Sequence, residues 1–555
     1  MALASVTFLW LGLGPTPAYA ADTFGAATDP TAEPASTAAT AEEPKPPAPQ
    51  SGLHIGRISI EPGDVFDLDH PGERKWLFRW ANRLHRETRS EVILRQLLFA
   101  EGDPLSTSAL AESERALRRQ RFLVDASVTA SAPHDGVVDV DVRTRDSWSL
   151  EPGVGFKRTG GTNTFHFNLH EANLLGLGKD LAVELRSDVD RTSRLLTYSD
   201  PNLLGSRYRL DVSYSANSDG SERRLALEQP FFALTTRRAE GLQAFDDEFV
   251  VSRYALGHVR DRFRERQQFG EAWFGLSRGL EDGATHRLQL GLTYDDRTFF
   301  AASGEPATIL PGNRRLVYPW IRWSWVQDRF VVERDVDRID RPEDVAVGWQ
   351  ASARTGFASS ALGSDRNAVV VDGALARAFR PSSRQLIFGT AAFAGRLEER
   401  GADPASLTLG LRYLLRDLPH QALAASFELG LAHALDAEQQ LLLGGDSGLR
   451  GYPLRYQEGD RRMLFSLEHR WYGDRELLHL FRLGAAVFAD AGRAWFSTGD
   501  LPDSRGWLKD FGIGLRFAPS RSAHANVVRL DIAFPVDRDP AIDRVQILVS
   551  TSERF

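Results

Sequence analysis

The sequence predicts an all-β transmembrane barrel preceded by one small N-terminal α/β domain. Three observations lead there. From Glu151 to Phe555 the apolar residues recur with period two: Tyr208, Leu210, Val212 and Tyr214 alternate with Arg209, Asp211, Ser213 and Ser215. Leu288, Leu290, Leu292 and Tyr294 alternate in the same way with Arg287, Gln289, Gly291 and Thr293. A sheet with one oily and one polar face produces this pattern, and in lipid it must close on itself because no strand edge can stay unpaired. Second, Asn-Leu-Leu-Gly occurs at Asn173–Gly176 and again at Asn202–Gly205, 29 residues later. That spacing suits two spanning strands and one longer loop, returning to a tight Asn/Gly turn at the same end. Third, the chain closes on "RVQILVSTSERF", in which Val545, Ile547, Val549 and Phe555 share one parity and the last residue is aromatic.

Composition narrows the function classes. The 555 residues carry 67 basic and 75 acidic side chains, a net charge of −8 with both signs dispersed. No basic field for nucleic acid results. Cysteine is absent, which excludes disulfides, thiolate metal sites and cysteine nucleophiles. Mean hydropathy is −0.30 and no later run of about 18 apolar residues occurs, so no spanning helix is expected. A barrel needs none, because only alternate residues face lipid. Trp320, Trp323 and Trp325 are expected in an interfacial aromatic belt.

The N-terminal elements follow in order. Residues 1–20 end in Ala18-Tyr19-Ala20 behind an apolar core and read as a secretory signal peptide, although no Lys or Arg precedes Lys45. Residues 21–52 are an Ala/Pro-rich linker without the apolar content for a core. Residues 53–148 read as the α/β domain. "HIGRISI" predicts a strand, and "SEVILRQLLFAEGD" a helix capped by Ser90 and stopped by Gly102. "STSALAESERALRRQ" predicts a second helix capped near Ser106 or Ser108. A hairpin then turns at His134-Asp135-Gly136. Before the first helix, Trp76, Leu77, Trp80, Ala81 and Leu84 fall at helical spacing among Arg74, Lys75, Arg79, Arg83 and Arg86. Such a helix touches a membrane surface or partner, or packs its aromatic stripe on the domain; the second is the expectation. Residues 149–555 hold the barrel, with 16 to 20 strand candidates.

Chemistry-bearing motifs are scarce. Gly-Asp-Ser-Gly at Gly445–Gly448 matches the surroundings of a protease serine, yet Leu449 stands where the oxyanion glycine belongs, and no histidine lies in a catalytic context. No H-E-x-x-H, P-loop or calcium-loop motif is present, so no catalytic residue, cofactor or metal is expected.

The other half of that stretch carries the signal. Leu449-Arg450-Gly451-Tyr452 is followed by "FSLEHRWYG" with Glu468, and by "AVFADAGRAWF" with Phe488, Asp490 and Gly492. In this order and spacing, with the two Asn-Leu-Leu-Gly turns and "EQPFF" at Glu228–Phe232, the chain resembles the BamA/TamA superfamily, the bacterial surface antigen type of barrel. The β-α-α-β-β order of residues 53–148 resembles a polypeptide-transport-associated (POTRA) domain. The resemblance implies a barrel of 16 antiparallel strands in the bacterial outer membrane, with one POTRA domain in the periplasm. It also implies insertion or export of client polypeptides without nucleotide, and Phe555 as the terminal assembly signal. The implied partners are outer-membrane lipid, unfolded outer-membrane or secreted polypeptides, and periplasmic or outer-membrane accessory proteins. One POTRA domain is fewer than the main assembly factors carry, which leaves the client open. An outer-membrane channel or structural barrel without protein clients is the alternative, and an outer-membrane hydrolase a third. Arginine offers a planar fork for two carboxylates, so Arg450 is expected to anchor a loop inside the barrel on Glu468 and Asp490. Gly451 would permit close approach, and Tyr452 would pack on the inner wall.

Overall fold

Alternating apolar and polar residues decide almost every element of this chain. The computed structural model describes residues 52–552 apart from 67, 69–73, 75, 160, 303–309, 335, 338–341, 400, 402, 417, 478–480, 498–505, 520–526, 538 and 541. The expected signal peptide, the linker up to residue 51 and Phe555 lie outside the described residues.

The N-terminal unit contains β1 (His54–Gly63), α1 (Trp76–Leu84), α2 (Ser90–Leu94), α3 (Thr107–Arg118), β2 (Leu123–Ala130) and β3 (Val137–Asp146). Its sheet runs β1-β3-β2, with β1 parallel and β2 antiparallel to β3. On β3, Val138, Val140 and Val142 are buried, the last two in one core with Ile93, Leu97, Leu117 and Phe122. Asp135 and Gly136 take positive φ, which closes the predicted hairpin. Ser106 caps α3 by accepting the Ala109 N–H, as expected. The preceding helix is shorter than its sequence suggests. It stops at Leu94, Arg89 occupies its N-cap, and the Leu98 N–H donates to Ser113 Oγ of α3 at 2.8 Å instead of continuing a helix. The expectation for α1 is overturned. Phe78 faces inward against Val65 and Phe66, whereas Trp76 is 72% and Trp80 56% exposed.

The second body is a wall of strands. The first half contains β4 (Leu150–Thr159), β5 (Thr162–Glu171), β6 (Asp180–Ser187), β7 (Thr192–Asp200), β8 (Arg209–Asn217), β9 (Gly220–Gln229), β10 (Arg238–Ala255), β11 (His258–Glu281), β12 (Ala284–Ala301) and β13 (Arg314–Gln327). A small hairpin, β14 (Phe330–Arg334) and β15 (Pro342–Ala346), leaves the wall. The wall resumes with β16 (Gln350–Ala358), β17 (Ala368–Ser382), β18 (Gln385–Glu398), β19 (Ala405–Leu415) and β20 (Gln421–His433). A second small hairpin, β21 (Leu441–Leu443) and β22 (Gln457–Gly459), departs in turn. Then follow β23 (Arg461–Leu477), β24 (Phe481–Trp495), β25 (Leu508–Pro519), β26 (Val527–Pro535) and β27 (Gln546–Ser552).

Among the described residues, twenty antiparallel strands form a closed barrel. That is four more than the resemblance implied, and the top of the range of strand candidates. Leu288, Leu290 and Leu292 face outward and exposed, while Thr285 and Thr293 are buried inward. Trp323 and Trp325 flank His286, but Trp320 departs from the expected belt. It points into the lumen, 4% exposed, and donates to Thr293 Oγ1 at 2.9 Å.

The N-terminal unit docks on one end of the barrel, called here the near end. Asn173 Nδ2 donates to Thr88 Oγ1 at 2.8 Å, and Gln96 Nε2 to Asn202 Oδ1 at 2.7 Å, so both Asn-Leu-Leu-Gly turns meet the unit. Arg207 donates to the Leu97 carbonyl, and the Leu234 N–H to Glu112 of α3 at 2.7 Å.

Candidate functional site

The segment between β20 and β23 enters the lumen from the far end. Its paired strands β21 and β22 carry a tip whose Leu443, Leu449, Tyr452 and Tyr456 are buried with Leu464, Ala494, Leu508 and Ile542. Inside the expected Phe-x-Asp-x-Gly string, Gly492 leaves space for the loop: a Cβ there would come within 3.0 Å of Leu443 Cδ2.

The tip delivers Arg450 to three strands. Its Nε and Nη2 donate to Asp490 Oδ2 and Oδ1 at 2.8 and 3.0 Å, a bidentate pair. Nη1 donates to Glu468 Oε2 at 2.8 Å and lies 3.8 Å from Asp531 Oδ2. Nη2 also reaches Ser466 Oγ at 3.3 Å. The guanidinium stacks 3.4 Å from the centroid of Phe488, so the two faces of the site are ionic and aromatic. Glu468 sits opposite Phe488 in the β23–β24 register, and Ser466 opposite Asp490. Inward parity on neighbouring strands therefore places both acids within reach of one fork. Gly451 lies so close to the wall that a Cβ would meet Asp510 Cβ at 2.6 Å, and its N–H donates to Asp510 Oδ2 at 3.0 Å. Tyr452 Oη accepts the Lys509 N–H at 2.9 Å and bonds Asp537.

Sequence reasoning missed most of what surrounds this set. Arg470 donates to Glu468 Oε1 at 3.0 Å, and Arg516 joins Asp531 at 2.5 Å and Glu468 at 3.4 Å. Ser466, Asp510, Arg516 and Asp531 share the inward parity of their strands, a signal the sequence does carry. A second loop arginine was also missed. Arg455 donates to Asp190 Oδ1 and Oδ2 at 2.8 and 2.5 Å and stacks on Tyr254, joining the tip to the β6–β7 loop and β10. Burial pushes the Asp190 carboxyl up, but its bonds to Arg455 and Tyr254 outweigh this and hold it below the usual carboxylate range. Ser447 is occupied locally: it accepts the Gly444 N–H at 2.7 Å and donates to the Gly444 carbonyl at 3.2 Å. It acts as a turn residue.

The near end holds a feature with no counterpart in the sequence reading. The β14–β15 hairpin folds into the lumen, where Val336 and Val345 pack against Ala378, Leu386, Leu414, Ala422 and Tyr472. Glu333 is bound by Arg380 and Arg416, and Asp337 by Arg412. From outside, Arg115 of α3 pairs with Asp328 at 3.5 Å and Arg118 with Asp344 at 3.3 Å. The hairpin thus bridges the N-terminal unit and the inner wall.

Among solved structures, the chain is similar to BamA from Haemophilus ducreyi lacking POTRA domains 1–3, at 14% identity and TM-score 0.38, covering 90% of this chain and 85% of that one. It is also similar to CdiB from Acinetobacter baumannii, at 11% identity and TM-score 0.44, covering 90% and 73%. For CdiB from Escherichia coli the values are 13% and 0.45, covering 90% and 76%. No curated protein matches. The Omp85 superfamily domain matches residues 173–555, which hold all but two of the barrel strands, the inserted loop and Arg450 with its acids. The chain belongs to the Omp85 superfamily.

Proposed function

We propose that this protein is a bacterial outer-membrane factor that inserts or exports client polypeptides through a barrel wall that parts beside its first strand. Residues 53–148 act as a POTRA domain in the periplasm, receiving unfolded segments along the β1 and β2 edges of its sheet by strand addition. The near end of the barrel is then periplasmic, and the loop carrying Arg450 descends from the outside as an anchor. Glu468 and Asp490 hold Arg450, Gly451 allows the approach, and Tyr452 seals the tip against β25.

The observation that carries this reading is the seam. β4 pairs with β5 over ten residues and β26 with β27 over seven, but among the described residues β27 meets β4 at one pair, Val549 with Arg158. A ladder hydrogen bond adds about 0.5–1.5 kcal/mol net, so parting the wall here costs far less than at any of the longer ladders. The inserted loop and hairpin occupy the lumen at both ends, which disfavours a permanently open channel. No chemistry at Ser447 supports a hydrolase.

The chain has no cysteine, so a single engineered pair can test the seam. Directly opposed residues of an antiparallel pair have Cα atoms about 4.5–5.5 Å apart, within disulfide range. Arg158→Cys with Val549→Cys, oxidised in the membrane, is expected to stop client insertion, and reductant to restore it. Full client assembly by the locked protein would refute lateral opening.

A further inference from the structure

We propose that α1 is an interfacial membrane helix: it seats Trp76, Arg79, Trp80 and Arg83 in the anionic headgroup layer at the near side of the membrane, beside the root of the first barrel strand. Positions 76, 79, 80 and 83 fall on one face at i, i+3, i+4 and i+7. All four are exposed. The opposite face is the one committed to protein. Phe78 stacks on Phe66 with ring centroids 4.5 Å apart, and Asn82 Nδ2 donates to the Phe66 carbonyl at 2.8 Å. The helix is therefore fixed in rotation, with two indoles turned away from the domain.

Its position relative to the membrane follows from the same cluster. Trp148 packs against the Val65, Phe66 and Phe78 core, and β4 begins two residues later, about 7 Å along the chain. The outward residues at the root of the wall are Leu150 on β4 and Leu169 on β5, both exposed, and they mark where the oily band ends. Immediately after α1, Thr88 is bonded to Asn173 and the Arg89 N–H donates to the Gly176 carbonyl at 3.1 Å, so this segment is pinned to the first near-end turn. The polar layer of a bilayer is about 5–8 Å deep on each side, so a helix this close to the strand root lies within it.

The chemistry of the exposed face fits that layer. Indoles partition to the headgroup level because one edge is apolar and the N–H is polar. Arg79 and Arg83 are interleaved with them, and Arg74 and Arg86 flank the helix. Lys75 lies outside the described residues. Basic side chains are drawn to an anionic surface, so charge favours phospholipid over a basic protein surface. The inference requires only that the barrel spans a membrane. It holds whether or not the protein handles clients.

The test uses full-length protein carrying Trp80→Cys, labelled with an environment-sensitive fluorophore, in vesicles of phosphatidylethanolamine and phosphatidylglycerol. Asp135→Cys, in the exposed β2–β3 turn, is the aqueous control. Brominated acyl chains are expected to quench the label at position 80 severalfold more than at 135. Equal quenching at both sites overturns the proposal. A blue shift at position 80 without brominated-lipid quenching assigns the face to a protein surface and overturns it too. Arg79→Glu with Arg83→Glu is expected to lower the quenching while the barrel keeps its heat-modifiable mobility. Unchanged quenching in that variant overturns the assignment to anionic headgroups.

Discussion

Arg450 is held by four hydrogen bonds to three side chains and by one aromatic face, all supplied by β23 and β24. Removing one member of a buried ion pair typically costs about 3–5 kcal/mol, because the partners stay buried without compensation. Arg450→Ala is therefore expected to unseat the loop: protease should cleave the segment between β20 and β23 in intact cells, and the folded barrel should lose its mobility shift at a lower temperature. Arg450→Lys should recover only part of the effect, since an ammonium cannot match the bidentate fork on Asp490. A protease-resistant loop in Arg450→Ala would show that the anchor is dispensable. Arg455 offers a second reading at the same scale. The Asp190 carboxyl is depressed in the folded protein, so its contribution is present above the ordinary carboxylate value near about 3.9 and is lost as pH falls through the lower folded value. Loop protection is expected to weaken only in that acid window, and Asp190→Asn should remove the Arg455-dependent part of the response. Protection that is identical in Asp190→Asn at every pH would exclude this contact as the source.

At the scale of elements, β14 and β15 form a latch at the near end. The inner wall of a wet barrel is expected to be polar. Here Ala378, Leu386, Leu414, Ala422 and Ala424 line it, and the hairpin's Val336 and Val345 cover them. The ionic half of the latch is compact: Glu333 and Asp337 engage three arginines of the wall. Glu333→Ala with Asp337→Ala removes the acids that Arg380, Arg412 and Arg416 bind. The hairpin is expected to lose about 3 kcal/mol or more of docking, and single-protein conductance in planar bilayers should rise. Conductance equal to that of the parent would mean that the hairpin seals nothing. Because Arg115 and Arg118 of α3 grip Asp328 and Asp344, a displacement of the N-terminal unit pulls on the hairpin directly.

For the molecule as a whole, the sequence exposes what is local and periodic. Outward alternation on β8 and β12 is visible because lipid selects every second residue. Arg450, Glu468 and Asp490 are visible because two of the three lie on strands adjacent in sequence and paired with each other, β23 and β24. The strand count is not visible, since closure depends on strands hundreds of residues apart, and β10 to β12, at 18, 24 and 18 residues, far exceed the 9–11 or so that a bilayer needs. The hairpin escapes notice for the same reason: Val336 finds its neighbours on strands from β17 to β23. Trp320 misleads because an indole facing the lumen and one facing lipid differ by a single step of parity, and its neighbours Trp323 and Trp325 face the other way. The two inserted segments have a joint consequence. One enters from each mouth, and their anchors share no residue: Arg450 and Arg455 on one side, Glu333 and Asp337 on the other. The two plugs stand in series along the lumen, so releasing one lowers the resistance to ions without removing the second barrier.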